Sequence, residues 1–97
     1  PACYNHDRCA FDDIDPPARM NAIRAAAASN DRSAVPSLIK ALDSDDPAER
    51  LLACRALEGI TTQSFDFDHA AARPKRDAAA ARWRNWYDST NRPSPRP

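Results

Sequence analysis

The fold is decided by residues 46–56, which read Asp46-Pro47-Ala48-Glu49-Arg50-Leu51-Leu52-Ala53-Cys54-Arg55-Ala56. The same pattern stands thirty-one residues earlier, as Asp15-Pro16-Pro17-Ala18-Arg19-Met20-Asn21-Ala22-Ile23-Arg24-Ala25. Six of the eleven positions are identical without a gap, and Met20 stands opposite Leu51. Such an internal repeat is typical of architectures in which neighbouring copies stack and bury a shared core.

Each copy of the repeat has the features of a helix start. Asp46 is a favourable N-cap residue, because a carboxylate accepts hydrogen bonds from the free amides of the first helical turn. Pro47 follows at the first helical position, where its missing N–H costs nothing, and Glu49 has the spacing of a capping box. Asp15 and Pro16 repeat the first two signals. The sequence therefore predicts helices near residues 16–29 and 46–60.

Two further helices follow from apolar periodicity. Between the two copies Ser33 is the expected cap, and apolar residues recur behind it at i, i+3, i+4 and i+7, which predicts a helix near residues 33–43. A long loop that carries Phe65 and Phe67, both expected to pack onto the helices, precedes a last helix near residues 74–89. The predicted core consists of Val35, Leu38, Ile39, Leu42, Ala53, Leu57, Ile60, Trp83 and Trp86.

The composition suits a small helical domain. The 97 residues are 42% hydrophobic and 29% charged, which is a folding composition rather than a disordered one. A single glycine argues against a turn-rich β architecture. No apolar run reaches the length that spans a bilayer, so the chain is not predicted to be transmembrane, although it can sit on a membrane complex.

The repeat resembles the HEAT repeats and the phycobilisome-lyase-like HEAT repeats, whose helical hairpins stack into solenoids. The family pattern stands here as Asp15-Pro16 with Arg19, then as Ala34-Val35-Pro36-Ser37-Leu38-Ile39 with Leu42. The resemblance covers residues 15–60, and the segment after Ile60 looks like the terminal segment of some short bacterial HEAT-repeat proteins. The resemblance implies an all-α fold, namely a short HEAT-like α-solenoid of two stacked hairpins with about four helices.

The predicted organisation has three parts. Residues 1–14 form an extended N-terminal arm, residues 15–89 the repeat domain, and residues 90–97 a tail rich in proline and arginine. The arm has no helical period and carries an acidic cluster, whereas the tail alternates Arg and Ser with Pro, a pattern that favours extended backbone. Arms of opposite charge at the two ends of a rigid domain predict that the ends contact a partner.

The predicted function is binding rather than catalysis. No nucleophile–base pair and no glycine-rich phosphate loop is evident, so the sequence contains no recognisable active site. We expect a non-catalytic protein–protein interaction module, an accessory or scaffold subunit docked on other protein subunits of a larger assembly, without a cofactor. The residues expected to bind the partner are Asp12, Asp13, Arg82, Arg84, Arg92, Pro93, Pro95 and Arg96.

Two other functions stay open. The run Arg82-Trp83-Arg84-Asn85-Trp86-Tyr87 mixes cations with aromatic rings, as nucleic-acid-binding surfaces do. A formal net charge of zero disfavours this alternative, because phosphate binding depends on neutralising cations. The family resemblance implies the second alternative, an enzyme related to the bilin lyases, for which a bound chromophore or a reactive cysteine is expected.

The cysteines are more informative about the cellular compartment of the protein than about a metal or catalytic site. Cys3 and Cys9 are separated by a short loop that suits a disulfide in an oxidising compartment. Zinc needs four ligands, and only these cysteines and His6 lie close together. The chain begins with Pro1 and not with Met, and removal of a leader predicts an exported, periplasmic or envelope-associated protein. Pro1 and Ala2 argue against lipidation of Cys3, because cleavage before a lipidated cysteine leaves that cysteine first.

Two remaining features have ordinary structural interpretations. Cys54 lies in the middle of a predicted helix beside its apolar face, so a packed thiol is expected. Asp66, Asp68 and His69 form a small cluster in the long loop. Calcium needs more oxygen ligands than this cluster offers, so solvated carboxylates are expected there.

Overall fold

The computed structural model describes residues 15–91, which form four α-helices. In chain order these are α1 (Pro16–Ser29), α2 (Val35–Ala41), α3 (Pro47–Thr61) and α4 (Arg73–Asn91), and a 3-10 turn (Arg32–Ala34) leads directly into α2. No strand occurs between residues 15 and 91. The prediction of an all-α fold with four main helices is therefore confirmed.

Helix α3 occupies the centre of the stack, in contact with both α1 and α2, while α4 packs against α2. Apolar positions at helical spacing on each element meet in one core. Its buried residues include Ile23, Ala26, Val35, Leu38, Ile39, Leu42, Ala53, Leu57, Ile60, Ala80 and Trp83. Trp86, which the sequence places in the core, is only partly buried and packs against the outside of this cluster.

The first hairpin turns at Asp31 rather than at the predicted cap, Ser33. The Asp31 carboxylate accepts hydrogen bonds from the Ser33 backbone N–H at 3.0 Å and from the Ser33 hydroxyl at 2.6 Å. Ala34 N donates to the Asp31 carbonyl at 3.1 Å, which closes a tight 3-10 turn. The regular part of the predicted helix 33–43 therefore shortens to α2, and Leu42 lies in the turn that ends it.

The predicted capping box at the start of α3 forms only in half. The Asp46 carboxylate accepts from Ala48 N at 2.9 Å, as an N-cap residue does. The Asp46 N–H, which Glu49 was expected to satisfy, donates instead to the Ser44 hydroxyl at 3.1 Å. At the equivalent position of the first copy, Asp15 makes no side-chain cap hydrogen bond to α1.

The last helix is longer than predicted at both ends. It begins at Arg73 and continues through Asn91, beyond the predicted end at residue 89. Nothing before Pro93 stops it, because only a residue that directly precedes a proline is disfavoured in the helical region. Two residues assigned to the tail, Thr90 and Asn91, therefore belong to the helix.

Residues 62–72 connect α3 to α4 without regular structure. The connection starts at Thr62, which ends α3 in the left-handed region at φ 60°, and a second left-handed residue, Asp66, follows at φ 59°. Phe65 and Phe67 are partly buried and pack against the core, as expected. Arg32 supports the start of this connection from the other hairpin, since its Nη1 donates to the Ile60 carbonyl at 3.2 Å.

Candidate interaction surface

A polar network joins the two copies of the repeat. Glu49 is 3% exposed, and its carboxylate accepts from Arg19 Nε at 3.1 Å and 3.2 Å and from the Ser44 hydroxyl at 2.9 Å. The same hydroxyl receives the Asp46 N–H. Because both carboxylate oxygens and the Ser44 hydroxyl have partners, the desolvation of the carboxylate is offset within the network. This network links α1 of the first hairpin to the start of α3 in the second.

Arg50, the counterpart of Arg19 in the second copy, connects two loops. It is 6% exposed, and its Nη1 donates to the Ser44 carbonyl at 2.7 Å. Its Nε and Nη2 both donate to the His69 carbonyl, at 3.0 Å and 2.8 Å. A planar guanidinium suits this position, because its donors point in several fixed directions at once. Sequence reasoning missed this role, although an arginine at the same position in both copies of the repeat was its signal.

An aromatic cluster attaches α4 and the preceding loop to the core. The Phe65 ring meets Trp83 edge-on at a centroid distance of 4.7 Å, and Trp86 meets Trp83 edge-on at 5.9 Å. Such edge-to-face pairs are favourable beyond the area that they bury. Trp83 is fully buried, and its indole Nε1–H finds no hydrogen-bond acceptor among residues 15–91. The packing of the ring therefore outweighs the loss of one hydrogen bond at this position.

The exposed side of α4 carries two of the predicted partner-binding residues, in different surroundings. Arg82 donates through Nε and Nη2 to the Phe65 carbonyl, at 3.3 Å and 2.9 Å, so it holds the long connection against the helix. Arg84 is exposed and makes no hydrogen bond or ion pair with another residue of the described range. Arg73 approaches Asp45 at 3.8 Å, but both side chains are exposed, which makes this pair weak.

The other expected binding residues fall outside residues 15–91. They are Asp12, Asp13, Arg92, Pro93, Pro95 and Arg96. The predicted disulfide pair, Cys3 and Cys9, and the neighbouring His6 also lie outside the described range. These assignments remain predictions.

Cys54 is buried within α3, and its surroundings make it unreactive. Burial, then the negative charge of Glu58, and then the hydrogen bond from Sγ to Glu58 Oε2 at 3.6 Å raise the pKa of the Cys54 thiol to about 12. The nearby Arg55 acts in the opposite direction but more weakly. Nucleophilic cysteines need a lowered pKa, so Cys54 is a packing residue.

Among residues 15–91, no group of three or more His, Cys, Asp or Glu side chains is arranged to hold a metal ion. Asp68 instead accepts from Ala70 N at 2.9 Å, a local loop hydrogen bond. Within the same range no helix combines the length and the apolar character that crossing a membrane requires.

Comparison with known proteins agrees with this architecture. The family model for HEAT repeats matches residues 9–82, which is most of the chain. Neither a curated protein nor a solved structure shows significant similarity to this chain. HEAT repeats are generally protein-interaction modules, and the family is typically non-catalytic. Two stacked hairpins, a repeated Asp-Pro helix start and the match itself establish that this chain belongs to the HEAT-repeat family.

Proposed function

We propose that this protein is a non-catalytic protein–protein interaction module that docks, as an accessory or scaffold subunit, on a larger assembly. Contact is made by the exposed side of α4 and by the tail that follows it. The observation that supports the proposal is that α4 has one side buried in the core and one side exposed. Ala80 and Trp83 fix one side of the helix in the core, whereas Arg84 points away from it without a partner in the described range.

A protein surface is a better partner than a nucleic acid because the charges on α4 alternate in sign. Arg84 stands seven residues after Asp77 and four before Asp88, so all three share one edge of the helix. Nucleic-acid binding takes its affinity from neutralising several phosphates, and the two carboxylates oppose this. A partner that offers both carboxylates and cations satisfies the whole edge, and such mixed complementarity also selects the partner and its orientation.

The tail extends this surface. Arg92 and Arg96 supply further cations, and Pro93 and Pro95 favour an extended backbone that loses little entropy on binding. Arg82 contributes less, because its guanidinium already holds the Phe65 carbonyl. Asp12 and Asp13 remain candidates for an acidic contact at the opposite end of the chain.

The proposal is tested by affinity purification of the tagged full chain from its source cells, followed by cross-linking and mass spectrometry. Two variants disturb the proposed surface, Arg84→Glu and a chain that ends at residue 91. Arg24→Glu is the matched control, because Arg24 is exposed on α1 and bonds only Asn21 within its own helix. We expect the same partner with wild type and control, about tenfold weaker recovery with the two variants, and unchanged helicity.

Three outcomes oppose the proposal. Equal recovery of the partner by all variants would remove α4 and the tail from the interface. Co-purification of RNA or DNA with a steep salt dependence would favour the nucleic-acid alternative. Cross-links confined to α1 or α3 would move the contact to another face of the stack.

A further inference from the structure

A stripe of five residues runs along the exposed side of α4, and its charges alternate around a central alanine. The residues are Arg73, Asp77, Ala81, Arg84 and Asp88. At 3.6 residues per turn they lie within a sector of about 80° of the helix circumference. The four charged residues are exposed, and Ala81 is partly buried. We call these five residues the charged stripe of α4.

The charged stripe is complementary to its own reverse. From Arg73 to Asp88 the charges are positive, negative, none, positive and negative, and in the opposite direction every sign is inverted. When two such helices lie antiparallel, Arg73 of one copy therefore faces Asp88 of the other, and Asp77 faces Arg84. Both pairings occur twice, because a twofold axis passes beside Ala81. The small side chain of Ala81 at the crossing point lets the two helices approach closely.

Within one copy the charges of the stripe do not neutralise one another. Arg73 stands four residues before Asp77, and Arg84 four residues before Asp88, yet neither couple forms an ion pair in the described part of the chain. An arginine that precedes its carboxylate is the less favourable order on a helix, because the macrodipole opposes it. Arg73 approaches Asp45 at 3.8 Å, but its side chain stays 57% exposed. The charged stripe is therefore available to a partner.

We propose that the partner of the charged stripe is a second copy of this chain, bound through an antiparallel contact between the α4 helices of the two copies. The inference rests on the proposed function for the use of α4 as a binding surface, and it names the partner of one edge of that surface. A second copy presents each charge opposite the charge that it neutralises, which is the complementarity that selects a partner and its register. Exposed ion pairs contribute little each, and one helix pair buries a small area. We therefore expect a weak, salt-sensitive dimer.

Analytical ultracentrifugation of the purified full chain over a range of concentrations tests the proposal. We expect a monomer–dimer equilibrium for wild type that shifts towards monomer as salt is added. Arg84→Asp and Asp77→Arg each place like charges opposite each other at two symmetric positions, so each should weaken self-association about tenfold or more. Lys75→Glu is the matched control on the same helix, because it lies about 160° around the axis from Asp77, and it should have no effect. Circular dichroism should show the same helicity for all variants.

Mixing the two weakened variants tests the antiparallel register itself. The Arg84→Asp chain carries carboxylates at positions 77 and 84, and the Asp77→Arg chain carries cations at both, so a heterodimer of the two has every pair restored. The double variant that carries both changes has the same restored pairs within a homodimer. Recovery of wild-type affinity in the mixture and in the double variant supports the proposal. A mixture that associates as weakly as its components overturns it.

Two outcomes distinguish this inference from the proposed function. A wild type that stays monomeric at every concentration, yet recovers another protein from its source cells in an Arg84-dependent manner, overturns the second copy and retains the accessory role. A dimer that shows the full pattern of variant effects but recovers no other protein supports the second copy and refutes the accessory role.

Discussion

Arg19 and Glu49 join the first helices of the two hairpins: Arg19 Nε lies 3.1 Å from one carboxylate oxygen and 3.2 Å from the other. The carboxylate side chain is 4% exposed and the guanidinium side chain 23% exposed. A pair of this kind contributes orientation as well as energy, because its geometry is lost if the hairpins slide past each other.

We expect Arg19→Ala to destabilise the fold by about 2 kcal/mol. This is less than the ~3–5 kcal/mol typical of breaking a fully buried pair, because Arg19 retains some contact with water. The loss arises from leaving the Glu49 carboxylate buried with the Ser44 hydroxyl as its one remaining partner among residues 15–91. Urea unfolding measures it, with Arg24→Ala as the exposed control on the same helix. Equal midpoints for the two variants would mean that the pair contributes nothing.

Arg50→Lys should cost about 2 kcal/mol although it keeps the positive charge. A lysine ammonium cannot donate to the Ser44 and His69 carbonyls with the geometry of the guanidinium, so at least one buried carbonyl loses its partner. The exposed neighbour Arg55 provides the matched variant, Arg55→Lys, which is expected to be neutral. Chemical denaturation compares the two. A neutral Arg50→Lys would show that charge alone is required at this position.

The stability of the protein should fall as the pH rises from about 9 towards 12, with part of the fall caused by Cys54. Its thiol has a pKa of about 12 in the folded chain, whereas an unfolded cysteine titrates near 8.5. In that window the unfolded state binds fewer protons than the folded state, so deprotonation favours unfolding. Comparing denaturation of wild type and Cys54→Ala across this range isolates the contribution of this residue. Parallel pH profiles would contradict the assignment.

The same burial predicts slow chemical modification of Cys54. In a Cys3→Ser, Cys9→Ser background, a thiol reagent at pH 8 should react far more slowly with the folded protein than with the urea-unfolded protein. The rate should follow the population of open molecules. Labelling of the folded protein at the unfolded rate would indicate a reactive thiol, the property that a catalytic cysteine requires.

Thr62→Gly is expected to stabilise the protein by about 0.5–1 kcal/mol. Thr62 adopts φ 60°, a left-handed conformation that is unfavourable for a β-branched residue and free of steric cost for glycine. The gain exceeds the entropy that glycine adds to the unfolded chain. Gln63→Gly is the control, because its φ is not positive, and it should be neutral or destabilising. Thermal melting distinguishes the two variants. A lower midpoint for Thr62→Gly would show that the left-handed backbone at Thr62 is not strained.

The helices were predictable because their signals are local. Asp46, Pro47 and the apolar spacing behind them act within a few residues, so they determine the start and the buried face of α3 without knowledge of the rest of the chain. The start of α2 at Val35 and the end of α4 at Asn91 were harder to predict. They depend on how the Asp31 turn closes and on the distance to the first helix-breaking proline.

The polar contacts between hairpins could not be derived from spacing. Glu49 fits a capping box by sequence, yet its carboxylate turns to Arg19 because Ser44 already satisfies the Asp46 N–H. Two acceptors compete for one donor, and only the tertiary structure decides which of them bonds it. The exposed position of Arg84 was predictable from the helical period. The bond of Arg82 to the Phe65 carbonyl was not, because it depends on the path of an irregular loop. The role of both residues in binding stays a prediction.

The aromatic cluster has a practical consequence. Trp83 is fully buried and has no hydrogen-bond acceptor in the described part of the chain, while the Trp86 ring lies 5.9 Å away at a partly exposed position. The two indoles therefore emit from different environments, one dry and one wet, and lie close enough to exchange excitation energy. Detachment of α4 from the stack shifts the emission of Trp83 to the red, so this protein contains its own unlabelled optical probe for following the terminal helix.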